Sequence, residues 1–65
     1  IAAEKARIQN EMAEVKANVE RLEARLNDQA FINKAPAAVV QKERDRLSIS
    51  QDRLQRLKQQ LERFR

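Results

Sequence analysis

Large apolar residues in the first half of the chain fall at Ile8, Met12, Val15, Val19, Leu22 and Leu26, with Ile1 one heptad ahead of Ile8. The steps alternate between 4 and 3 residues, a mean repeat of about 3.5, which keeps a narrow stripe of one helix facing a partner helix. The second half repeats the pattern through Val40, Glu43, Leu47, Ser50, Leu54, Leu57, Leu61 and Phe64. Glu43 and Ser50 are polar exceptions in this seam, and Lys5 is one in the first.

The stretch Asn27-Asp28-Gln29-Ala30-Phe31-Ile32-Asn33-Lys34-Ala35-Pro36 separates the seams and holds the chain's one proline. Pro36 turns Ala35 away from helical geometry and suits the first turn of a following helix. The pattern therefore predicts helix 1 over about residues 1–32, a turn at about 33–35 and helix 2 from about 36 to 65. Folding back near residue 34 sets Leu22 opposite Leu47, Val15 opposite Leu54, Met12 opposite Leu57 and Ile8 opposite Leu61. The expected fold class is all-α, a single antiparallel two-helix coiled-coil hairpin. In this register Leu26 faces Glu43 and Lys5 faces Phe64, and both charged side chains are expected to snorkel outward from layers near the ends.

Composition narrows the function. The 65 residues contain no Cys, His or Gly. That removes thiolate and imidazole metal ligands, the commonest general base and Gly-rich phosphate loops, so the chain by itself is not expected to be an enzyme or to hold a cofactor or metal. No apolar run approaches the ~20 residues that span a bilayer, and no membrane or small-molecule partner is expected. A chain of this size with a thin seam buries little surface, so it is expected to be a piece of a larger protein, with weak self-association left open.

Charge changes the picture most. Residues 1–30 carry five basic and six acidic side chains, a net of −1, whereas residues 31–65 carry nine against four, a net of +5. Lys42, Arg46, Arg53, Arg56 and Arg63 recur along one flank of helix 2 beside its seam. Helical spacing of that kind makes a row of contacts for a phosphate backbone, which the planar guanidinium engages well. Flank charges of a coiled coil also form interhelical ion pairs, such as Glu23 with Arg44, that are merely solvated. Phe31 and Ile32 sit at the tip, where they either cap the end of the seam or offer an apolar surface to a base pair.

The segment Phe31-x-x-Lys34-Ala35-Pro36-x-x-Val39-Val40, followed by the charged helix Glu43-Arg44-x-x-Leu47, resembles the C-terminal tail of bacterial-type valyl-tRNA synthetases. The resemblance extends over nearly the whole chain, with its specificity in the Lys-Ala-Pro core. It implies an antiparallel coiled-coil arm that reaches the outer corner of tRNA, where the D and T loops meet. The parent would be a cytoplasmic valine–tRNA ligase using ATP and magnesium, with the catalytic sites elsewhere. Carried over residue by residue, the implied RNA contacts are Phe31, Lys34, Lys42, Arg46, Arg53 and Arg56. Ala37-Ala38 departs from the acidic residues that often follow Ala-Pro in the family and leaves that helix end more positive. Two other readings stay open: the basic hairpin of a ribosome- or DNA-associated ATPase, and a structural protein–protein coiled coil.

Overall fold

A computed structural model describes residues 1–64, arranged as a rod measuring 47 × 14 × 13 Å. Helix α1 spans Ala2–Leu26, a short helix α2 spans Gln29–Lys34, and α3 spans Ala37–Glu62. No strand occurs among the described residues. The two long helices pack along each other. Arg25 meets Glu43 and Glu11 meets Arg53, so positions that fall along α1 find partners that rise along α3.

The buried apolar residues among those described are Ile8, Val15, Val19, Leu22, Val40 and Leu57, and each is a seam position. Ile8, Val15, Val19 and Leu57 form one cluster, with Met12, Leu47, Leu54, Leu61 and Phe64 packed against it. The core is thus a single line of side chains, one row from each long helix. A core this thin leaves the rod little surplus stability.

The connection departs from the expected single turn at 33–35. Helix α1 ends at Leu26, not near residue 32. Asn27 closes it, its N–H donating to the Glu23 carbonyl at 2.9 Å. Asp28 then turns extended, with φ −83° and ψ 110°, and its carboxylate accepts the Ala30 N–H at 3.0 Å. A side-chain oxygen in that position satisfies a helix's orphan donor, so Asp28 ends one helix by starting another. Helix α2 stops at Ala35, whose ψ of 144° is the extended geometry imposed by Pro36. Pro36 precedes α3 and its carbonyl accepts from Val39 at 2.9 Å and Val40 at 3.1 Å. Helix α3 therefore begins one residue after the expected 36 and stops at Glu62, short of the expected 65, which lies outside the described residues.

Two outcomes follow. Leu57→Ala removes a core side chain from the centre of the cluster at a cost of about 2–5 kcal/mol, and the helical circular-dichroism signal should collapse at a much lower temperature. Asp28→Ala removes only the cap, about 0.5–2 kcal/mol. Hydrogen exchange should then quicken at Ala30 and Phe31 and stay unchanged at Val15 and Leu57.

Candidate nucleic-acid interface

One of the two polar exceptions in the second seam, Glu43, organises the basic flank. Glu43 does not snorkel: it is buried, with 6% of its surface exposed, because it lies opposite the tip-proximal end of α1, where a cation is within reach. Arg25 Nη1 of α1 lies 3.5 Å from Glu43 Oε2, and Arg46 Nη1 of α3 lies 3.2 Å from Glu43 Oε1. A carboxylate withdrawn from water costs several kcal/mol unless it is paired and hydrogen-bonded. Two guanidinium groups, one from each long helix, supply that pairing. No buried side-chain nitrogen or oxygen among the described residues lacks a partner.

Arg25 is held from a second side. Its guanidinium carbon sits 5.4 Å from the centroid of the Phe31 ring, the geometry of a cation–π contact. The short helix α2, started by Asp28, is what carries Phe31 back toward Arg25. Phe31 and Ile32 are half-buried, so the tip aromatic caps the end of the rod and supports an arginine at once.

The other residues expected at the interface divide into groups. Lys34, at the end of α2, and Lys42, near the start of α3, are exposed. Arg46, Arg53 and Arg56 lie on α3 with exposed side chains. Arg53 Nη2 is 3.9 Å from Glu11 Oε2, and Glu11 also receives Arg7 Nη1 at 3.2 Å. The distal part of the flank is thus partly neutralised by α1. Glu23 and Arg44 form no ion pair among the described residues, contrary to the solvated pairing considered for that flank.

Three residues of this surface were not singled out in the sequence. Arg21 and Arg25 of α1 line one open cleft together with Asn18, Leu22, Glu43, Arg46, Ile49 and Ser50. Ile49 is 68% exposed and also lines a second hollow with Asp52, Arg53 and Arg56. It falls within the seven-residue step from Arg46 to Arg53 in the basic row. The signal for Ile49 was present as a large apolar residue off the seam. That for Arg21 and Arg25 was masked by the near-zero net charge of residues 1–30.

Among the described residues no group of three or more His, Cys, Asp or Glu is assembled that could hold a metal, and no helix is long and apolar enough to cross a membrane. The chemistry on offer is charge and hydrogen-bond donation from guanidinium groups around a small apolar patch, which suits a polyanion with a shaped surface.

The model of the family described as the valyl tRNA synthetase tRNA binding arm matches residues 1–65. The chain is 47% identical over 58 residues to the valine–tRNA ligase of Dehalococcoides mccartyi, which covers 89% of the chain and 7% of that relative. It is 37% identical over 62 residues to that of Corynebacterium glutamicum, covering 95% of the chain and 7% of the relative. It is 38% identical over 65 residues to that of Mesorhizobium japonicum, covering 100% of the chain and 7% of the relative. The chain therefore spans a small part of the length of these relatives. No solved structure matches it significantly.

If Phe31 supports Arg25 as described, the two residues are energetically coupled. A double-mutant cycle of Phe31→Ala and Arg25→Gln, read from thermal unfolding, should give a coupling of about 0.5–1 kcal/mol, the size of a partly exposed cation–π contact. Additive effects would contradict the contact.

Proposed function

This chain belongs to the family of valyl-tRNA synthetase tRNA-binding arms, and on that premise we propose that it is an antiparallel coiled-coil hairpin that holds folded tRNA against a larger enzyme. The single observation that carries the reading is the one-sided flank: exposed Lys42, Arg46, Arg53 and Arg56 along α3, with an apolar residue, Ile49, set between the arginines. Phosphate contacts of this kind fix register and orientation without reading bases. Folded RNA is recognised largely by shape and backbone, and a rigid rod with cations at fixed spacing provides a matching edge.

In this reading the rod lies along the outer corner of tRNA where the D and T loops meet. Phe31 and Lys34 at the tip, Lys42 and Arg46 next to it, and Arg53 and Arg56 further along form the contact. The larger enzyme is a valine–tRNA ligase working with ATP and magnesium in the cytoplasm. The sequence has no Gly for a nucleotide loop, and among the described residues no group of three or more His, Cys, Asp or Glu could hold a metal; in this reading both groups bind elsewhere in that enzyme. The arm contributes binding and orientation, not chemistry.

Neutralising about five phosphates gives a slope of log affinity against log salt of roughly −3.5 to −4.5. The test is fluorescence anisotropy of the chain with folded tRNA, single-stranded RNA and duplex DNA at two salt concentrations. Folded tRNA should be preferred at both. Arg46→Gln with Arg53→Gln should weaken binding and flatten the slope by about 1.4–1.8 with helicity retained. Equal binding to all three nucleic acids would leave a generic basic hairpin of the ATPase-associated kind. Self-association with no nucleic-acid binding would leave a structural coiled coil.

A further inference from the structure

The charge on this rod is not spread as the net values of its two halves suggest. Along the flank that carries the α3 arginines, α1 presents Glu11 against Arg53 at the distal end. Toward the tip it presents Arg21 and Arg25, which line one cleft with Arg46. Unbalanced positive charge therefore gathers at the tip-proximal part of the flank, and both long helices build it.

Each guanidinium in this cleft is tethered. Arg21 Nη2 donates to Asn18 Oδ1 at 3.0 Å. Arg25 and Arg46 share the two oxygens of Glu43, each through its Nη1, and Arg25 also lies over Phe31. A guanidinium carries five N–H donors in a rigid fork, so a single tether leaves donors free. The side chains of Arg25 and Arg46 remain 52% and 61% exposed. A carboxylate in the seam is also a poor choice for stability, since replacing a buried ionic cluster by apolar side chains is often neutral or stabilising. Its one evident service is geometric: it sets the spacing of an arginine on α1 and an arginine on α3.

We propose that Arg21, Arg25 and Arg46 form one phosphodiester-binding cleft spanning both long helices, with buried Glu43 as its positioning residue. The ligand is the backbone of a folded RNA, for two reasons. The cleft is open and its lining runs over about two turns of each long helix, from Asn18 to Arg25 and from Glu43 to Ser50, which admits a continuous strand. The apolar part of that lining, Leu22 and Ile49, suits the face of a ribose between phosphates. This inference rests on the tRNA-binding reading above and names a site that the row on α3 alone does not contain. Preorganised arginines bind without first losing side-chain freedom, a cost that every flexible side chain ordered at an interface otherwise carries.

The test compares the parent chain with three double variants and one single variant, each first checked for helical content. Arg21→Gln with Arg25→Gln removes the α1 half of the cleft. It should weaken binding to folded tRNA roughly 25- to 60-fold at 0.1 M salt, the counterion-release share of two phosphate contacts, and lower the salt slope by about 1.4–1.8. Arg44→Gln with Lys58→Gln, on the opposite flank, should leave affinity near the parent's. Glu43→Leu separates positioning from plain charge. Removing a negative charge alone would strengthen binding to every nucleic acid. Loss of positioning instead lowers the ratio of tRNA affinity to duplex-DNA affinity several-fold, while the melting temperature stays level or rises, because the half-exposed Arg25 and Arg46 side chains can turn to water once the carboxylate is gone.

If the Arg21/Arg25 variant binds as the parent does while the Arg46/Arg53 variant is weakened, the cleft is overturned and the arm reading stands. If Glu43→Leu keeps the parent's preference for tRNA, Glu43 is not a positioning residue and that part is overturned. If the parent chain shows no preference for folded tRNA, the cleft and the arm reading fall together.

Discussion

A carboxylate inside an apolar seam has to be met there by cations, and the tip-proximal half of this rod is arranged around that requirement. Glu43 is buried at a position where the heptad repeat calls for an apolar side chain. Its charge is matched by Arg25 from one long helix and Arg46 from the other. Arg25 in turn rests on Phe31, and Phe31 reaches it because Asp28 starts a short helix immediately after α1 closes. Capping, aromatic contact and ion pairing are successive links from one buried charge to a basic surface.

The remaining length of the rod is simpler. A single file of seam residues holds α1 and α3 together, and the flank charges there pair across the helices or with neighbours one turn away, as Glu11 does with Arg53 and Arg7. Exposed pairs of this type contribute little, about 0–1 kcal/mol. The two ends therefore have different characters: the distal end is held by apolar packing, with its basic flank partly neutralised by Glu11, and the tip end trades apolar packing for fixed arginines.

Much of this was legible in the heptads. The spacing of Ile8, Val15, Val19, Leu22, Val40 and Leu57 marked the residues that are buried, and Pro36 marked the boundary before α3. The break at Asn27–Asp28 was not legible in the same way. A two-residue interruption changes no apolar spacing, and an Asp that caps looks the same in sequence as an Asp in a loop. Glu43 was visible as an exception, but periodicity does not tell whether a misplaced charge bends out to water or is bridged in place. That depended on Arg25, far away in sequence. The interface was half legible for a related reason: net charge averages over a helix, so Glu11 and Glu14 at one end hid Arg21 and Arg25 at the other. Ile49 sat in plain view off the seam, but only the clefts on either side of it gave it a setting.

In the proposed mode of binding, the tip-proximal flank, built by both helices around Glu43, is the main surface that meets folded RNA. Amide chemical-shift mapping of the isotopically labelled chain, titrated with folded tRNA, tests it most directly. Shifts should be largest at Arg21, Arg25, Arg46 and Ile49 and extend to Arg53 and Arg56, with Arg44 and Lys58 on the opposite flank unmoved. Shifts spread evenly over both flanks, or confined to the distal residues around Glu11 and Arg53, would contradict it.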